Sequence, residues 1–188
     1  MAEEEKEQHY GPMQTVKRRF FAMRNGVIAD VLRKGGSPFR TIFGLNLPQI
    51  AEIAADTGKD AGLARQLWAN GTTRESMLLA PMLFPAGDFA QDEARRWIAA
   101  IEAVEVADVF CHRLLRHTPY AADLAAALAG SSRPMDRYVA LRTMFNLVGR
   151  EPRLAGEVAA KVAATPDPLT DRTAALLREE VAFVLGEE

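Results

Sequence analysis

From Phe43 to Pro85 the chain reads FGLNLPQIAEIAADTGKDAGLARQLWANGTTRESMLLAPMLFP, with a helix start or stop signal at nearly every joint. Asn46 is placed to cap a helix that carries Pro48 in its first turn, and Gly58 to end it. Leu47, Ile50, Ile53 and Ala54 then fall on one face. Asp60 caps the next segment, which turns Leu63, Ala64, Leu67 and Trp68 inward and stops at Gly71. Thr72 and Glu75 have the spacing of a capping box and open a third helix, which Pro81 should kink or finish. Short amphipathic helices in series cannot bury their apolar faces singly. They must stack, and stacking predicts an all-α superhelix of antiparallel HEAT-like helix pairs.

The remainder fits the same plan. Residues 1–11 read as a disordered acidic tail, and 12–188 as one helical-repeat domain. The Val16, Phe20, Met23, Val27, Val31 spacing predicts a single helix from Pro12 to Lys34, closed by Gly35-Gly36. From Phe89 to Arg116 no Gly or Pro interrupts, but the apolar phase shifts near Ala103–Glu105, where two helices should meet. Thr118-Pro119 to Gly130, Ser132 to Gly149, Pro152 to Pro166 and Thr170 to Leu185 delimit four more. Spacing between helix pairs is near forty residues, as in HEAT-like repeats. Trp68 and Trp97 sit at core spacing and are expected to pack between helices.

The overall charge of −2 hides an uneven distribution. The first ten residues carry four Glu and one Lys, and residues 151–188 carry four basic and eight acidic residues. Between them, 11–150 hold eighteen basic and thirteen acidic residues, a net of +5. Basic residues in that middle are mostly Arg, which suits bidentate phosphate contacts. Arg74, Arg113, Arg116, Arg137, Arg142 and Arg150 are the candidate ligands for a nucleic-acid backbone; surface ion pairing is the competing reading of each. No long uncharged apolar stretch exists, so no membrane partner is expected. The acidic N-terminus and single cysteine, Cys111, fit a cytoplasmic protein without an internal disulfide. His112 and His117 lie five apart, a poor fit to one helix face, so no metal is expected, and no cofactor motif occurs.

The order Phe43-Gly44, Leu47-Pro48, Ile50–Ile53–Ala54, Leu63-Ala64, Leu67-Trp68, Arg74-Glu75 and the Met77–Pro85 helix resembles the AlkD-like DNA alkylation repair proteins, which are built of HEAT-like repeats. The similarity is good over roughly residues 20–116 and thinner beyond. It implies duplex DNA as partner and, in active members, removal of cationic N3- or N7-alkylated purines. Asp108 matches the family's catalytic carboxylate. A cationic base leaves as a neutral purine, so the chemistry needs little acid. A carboxylate near the sugar stabilises the oxocarbenium-like charge that develops. Val104 stands where the family has a tryptophan, and Val139 where a second aromatic is expected, with Tyr138 adjacent as a substitute flanking ring.

Two functional classes follow. One is a DNA-binding protein of alkylation repair, with or without glycosylase activity carried by Asp108. The other is a non-catalytic helical-repeat scaffold that binds a nucleic-acid structure or a protein.

Overall fold

The computed structural model describes residues 10–186, so most of the expected acidic tail lies outside the described residues. Eleven α-helices occur among them: α1 Pro12–Ala22, α2 Gly26–Lys34, α3 Leu47–Thr57, α4 Ala61–Ala69, α5 Arg74–Leu83, α6 Gln91–Ala99, α7 Val104–Arg113, α8 Ala121–Leu128, α9 Pro134–Leu147, α10 Pro152–Ala163 and α11 Asp171–Leu185. The fold is an all-α superhelix of antiparallel pairs. An inner row runs α3, α5, α7, α9, α11, each helix packed on the next. Behind it, α4 backs α5, α8 backs α9, and α10 packs on both α9 and α11. In the outer row α6 is locked by Trp97, which stacks on Trp68 of α4 at 4.2 Å between nearly parallel rings and leans on Phe110 of α7. No helix among the described residues is long and apolar enough to cross a membrane.

Most joints fall where the punctuation puts them. Asn46 and Gln49 form a reciprocal capping box at the start of α3, and Gly58 ends it at φ +77°. Asp60 caps α4 through the Leu63 amide. The phase shift before Glu105 is a real break, spanning residues 100–103. Three expectations need correction. The segment Pro12–Lys34 is two helices, because the Asn25 side chain accepts from the Ile28 amide and restarts the chain as α2. At the start of α9 the N-cap is Arg133, and Ser131 rather than Ser132 supplies the local bonds, accepting from the Arg133 amide and donating to Asp136. Glu75 closes no capping box with Thr72; the N-cap of α5 is Thr73, which makes no side-chain cap bond.

Glu75 does something else. It is fully buried, and its carboxylate reaches across to the 43–45 turn. Oε2 accepts from the Phe43 amide at 3.0 Å, and Oε1 from the Gly44 and Leu45 amides at 2.9 and 3.3 Å. Arg74 Nη1 donates both to Glu75 and to the Leu45 carbonyl, while Nε and Nη2 form a fork on Glu105 of α7. One buried ionic centre thus joins the turn before α3, the start of α5 and the start of α7. The turn itself demands glycine: Gly44 has φ +82°, and a Cβ there would lie 2.1 Å from the Asn25 carbonyl oxygen.

Replacing Glu75 with Ala should leave three buried backbone amides without a partner and remove one of the two carboxylates that balance Arg74, which keeps Glu105 and the Leu45 carbonyl. The expected cost is about 3–5 kcal/mol, a fall of roughly 10 °C in Tm. A calorimetric loss below about 1 kcal/mol would show that the centre is dispensable.

Candidate nucleic-acid interface

The inner row encloses a groove. Small residues of α3, namely Ala51, Ala54 and Ala55, form one wall and leave space in front of them. Met82 of α5 forms the floor, and His112 and Arg113 of α7 with Arg116 and His117 of the following 3-10 turn form the far wall. Gly58 and Lys59 close one end. The cavity is about 410 Å³, and no carboxylate lines it. It continues past Met82, His112 and Arg113 into a second hollow of about 220 Å³ that Leu47, Asp108, Val109 and Arg142 complete. The groove therefore crosses four inner helices, α3, α5, α7 and α9.

The basic groups are held in place rather than free. Lys59 Nζ donates to the carbonyls of Met82 and Phe84 at the C-terminal end of α5, which anchors the ammonium at the groove and complements the helix dipole. Asn146 of α9 donates Nδ2–H to the Arg142 carbonyl at 2.7 Å, which turns Oδ1 toward His112 Nδ1 at 2.9 Å and Arg116 Nη1 at 3.4 Å. Arg116 Nη1 also lies 3.2 Å from His112 Nδ1, so the ring nitrogen sits between an amide oxygen that accepts and a guanidinium that donates. Arg150 reaches the Arg116 carbonyl at 3.3 Å.

The field in the groove is positive. Burial, then neighbouring Arg113, pushes the Lys59 ammonium below its ordinary pKa. Burial also lowers His117, and every charged group that adds to the shift is basic: Arg116, His112, Lys59 and Arg150. Protonating an imidazole among cations costs free energy unless an anion is present.

Asp108 lies in the second hollow on α7. Its Oδ1 accepts from the Tyr138 hydroxyl at 2.9 Å and lies 2.7 Å from Arg142 Nε. That Nε–H is not aimed along the contact, so the Arg142 interaction is ionic more than a linear hydrogen bond. Burial, then Asp108, raises the Tyr138 pKa, so the phenol stays protonated as a donor. Arg142 also lies 5.5 Å from the Phe145 ring centroid.

The candidate residues thus divide. Arg113 and Arg116 line the larger cavity, Arg142 and Asp108 the smaller one, and Arg150 is exposed beside Arg116. Arg74 and Arg137 are buried and face inward, a correction to their reading as backbone ligands. Glu75, Glu105 and the Leu45 carbonyl occupy Arg74, whereas Arg137 serves the Ser131 and Ser132 carbonyls and pairs with Asp167. Tyr138 is also buried, so its ring offers no flanking platform; its hydroxyl holds Asp108 instead. Val139 is fully buried, and Val104 is exposed at the start of α7. Lys59, His112 and His117 are additions to the set. The five-residue spacing of the two histidines is awkward on one helix, but the chain leaves α7 after Arg113 and turns His117 back beside His112.

A model of the family described as DNA alkylation repair enzyme matches residues 8–180 of this sequence. The chain belongs to that family. Its fold aligns with a solved structure described as "a new family of proteins related to the HEAT-like repeat DNA glycosylases with affinity for branched DNA structures". The alignment covers 93% of this chain and 82% of the other, with a TM-score of 0.77 and 16% identity. At that identity the likeness establishes the shared fold. No curated protein matches the sequence. Within this alkylation repair family member, the groove and Asp108 share one continuous surface of the inner row.

The lowered His117 pKa carries a sign for stability. The unfolded chain binds the proton first as pH falls, so the folded state loses stability from the ordinary histidine pKa of about 6.5 downward. Between pH 7.5 and 5.0 the Tm of the wild type should fall further than that of His117→Asn. Superimposable curves would show that neither burial nor the surrounding cations act on this ring.

Proposed function

We propose that this protein binds DNA through the phosphate backbone along the inner-row groove, as a recognition protein rather than an efficient glycosylase. The observation that carries this reading is the wall of Lys59, His112, Arg113, Arg116 and His117 around a cavity with no carboxylate. Guanidinium and ammonium groups, with two imidazole rings beside them, suit a ligand with a repeating negative charge. The family's description as DNA alkylation repair enzyme supports DNA as that ligand. The affinity for branched DNA stated for the structural neighbour supports it further.

A glycosylase reading rests on Asp108, which shares the groove. In the free protein its charge is already balanced by Arg142 at 2.7 Å, with Tyr138 on the same oxygen. A guanidinium there opposes the positive charge that must build on the sugar. Catalysis would require a DNA phosphate to draw Arg142 away. Val104 and Val139 leave no indole at the positions that hold the nucleotide in active relatives.

Fluorescence anisotropy with labelled duplex across a salt series tests the binding. The expected slope of log affinity on log salt is about −3 or steeper, from at least three phosphate contacts. Joint Arg113→Ala and Arg116→Ala should flatten it by about 2. A wild-type slope near zero would remove the polyanion reading. In parallel, 7-methylguanine release from methylated DNA should match the spontaneous rate for wild type and Asp108→Asn alike. Release by the wild type that Asp108→Asn abolishes would make the protein a glycosylase.

A further inference from the structure

A second basic surface lies outside the groove. Residues 10–45 carry seven basic side chains and one acidic one, a net charge of +6, in a chain whose total is −2. Two of the seven are engaged in ion pairs. Arg19 pairs with Asp56 at 2.8 Å and Glu52 at 3.7 Å on α3, and Arg33 pairs with Asp30 and reaches the Ile42 carbonyl. The other five, Lys17, Arg18, Arg24, Lys34 and Arg40, are exposed and make no ion pair among the described residues.

Apolar groups sit among these cations. Val27, Val31 and Lys34 follow i, i+4, i+7 spacing and share the outward face of α2, where the two valines are 75% and 64% exposed. Phe21 is 58% exposed at the end of α1, with the Arg24 guanidinium 3.9 Å from its ring centroid. The α2 helix buries only Ala29, so this face has little part in the core. Nor is it loosely attached. The Asn25 amide donates to the Phe43 carbonyl at 2.8 Å, and Gly44 packs directly against the Asn25 and Ala29 backbone. The α1–α2 segment is thus a firmly held platform that carries five exposed cations on its two helices, the turn between them and the loop after them.

We infer that the α1–α2 platform is a second DNA-binding site, which takes one arm of a branched DNA while the groove takes another. This rests on the groove reading above and adds a partner geometry to it. Two features separate the sites. Groove and platform flank α3, the groove on its Ala51–Ala54–Ala55 face and the platform on the side of Glu52 and Asp56. Arg19 offsets one of those two carboxylates, and the negative charge that remains at this edge of α3 disfavours one continuous backbone running across both surfaces. Two duplex arms diverging from a branch avoid that charge. Charge complementarity commits the occupant to a polyanion. Phe21 with its stacked Arg24, beside Val27 and Val31, offers an apolar contact for the base-pair face that a branch point exposes.

The test compares a three-way junction with a linear duplex of equal length, using the full chain. Two proteins are set against wild type: a platform variant (Lys17→Ala, Arg18→Ala, Arg24→Ala, Lys34→Ala) and the groove variant (Arg113→Ala, Arg116→Ala). Wild type should prefer the junction. The platform variant should lose about tenfold or more in junction affinity, with its salt slope flattened by about three to four, and hold duplex affinity within about twofold. Its Tm should match wild type, because every substituted side chain is exposed. The groove variant should weaken both DNAs. A wild type with no junction preference, or a platform variant that leaves the junction-to-duplex ratio unchanged, overturns the inference. Binding to phosphatidylserine vesicles that the platform variant loses, with that ratio unchanged, assigns the platform to a lipid surface and overturns it too. A groove variant that binds duplex like wild type sinks the groove reading alone.

Discussion

A carboxylate with no access to water is tolerated only when every lone pair it presents is used. Glu75 meets that condition with three backbone amides from one turn and a guanidinium from its neighbour. The turn it organises, 43–45, touches the start of α2 through Asn25 and leads directly into α3. Arg74 then carries the connection to Glu105 and α7. The helices that present both proposed DNA surfaces are therefore referenced to a single buried charge. Around it α5 is buried on all sides, polar first turn included, as expected of the axis of a layered fold.

The distribution of acid matters as much as that of base. At an ionic strength of 0.15 M a charge is felt over roughly 8 Å, so the chain's net value says little about any one surface. Carboxylates near the inner row are tied to specific partners: Glu105 to Arg74, Asp108 to Arg142, and Glu52 and Asp56 to Arg19. What remains facing the larger cavity is cationic. Exposed surface ion pairs add little stability singly. Their effect here is to keep negative potential out of the groove.

Much of the architecture was legible because helix ends are written locally. Asn46 with Gln49, Gly58, Asp60, Pro152 and the flanks of α6 and α7 each act through neighbours a few residues away. The break at Met23–Asn25 was masked because the apolar spacing runs straight through it, and a single Asn side chain decides the matter. The site was less legible, for a tertiary reason. Nothing in the sequence distinguishes Arg74 and Arg137, which bury themselves against partners about thirty residues away, from Arg113 and Arg116, which do not. Glu75 has ideal capping spacing and is drawn instead to a turn that only the fold brings near. Lys59 follows a helix stop and becomes part of the groove because the end of α5 arrives beside it. The resemblance over residues 20–116 led to Asp108, and ion pairing was the competing reading of Arg142, but the Tyr138 hydroxyl on the same carboxylate oxygen was not legible.

Helices that touch only the next member of a row bend as a row. From α3 to α11 each inner helix leans on its neighbour in the row. Such a stack is compliant: a degree or two of rotation at each joint widens or narrows the opening while every interface keeps its packing. The elastic load is shared among four joints, and none must break. A cleft of that kind can close on guests of different calibre, as a leaf spring conforms to what it carries.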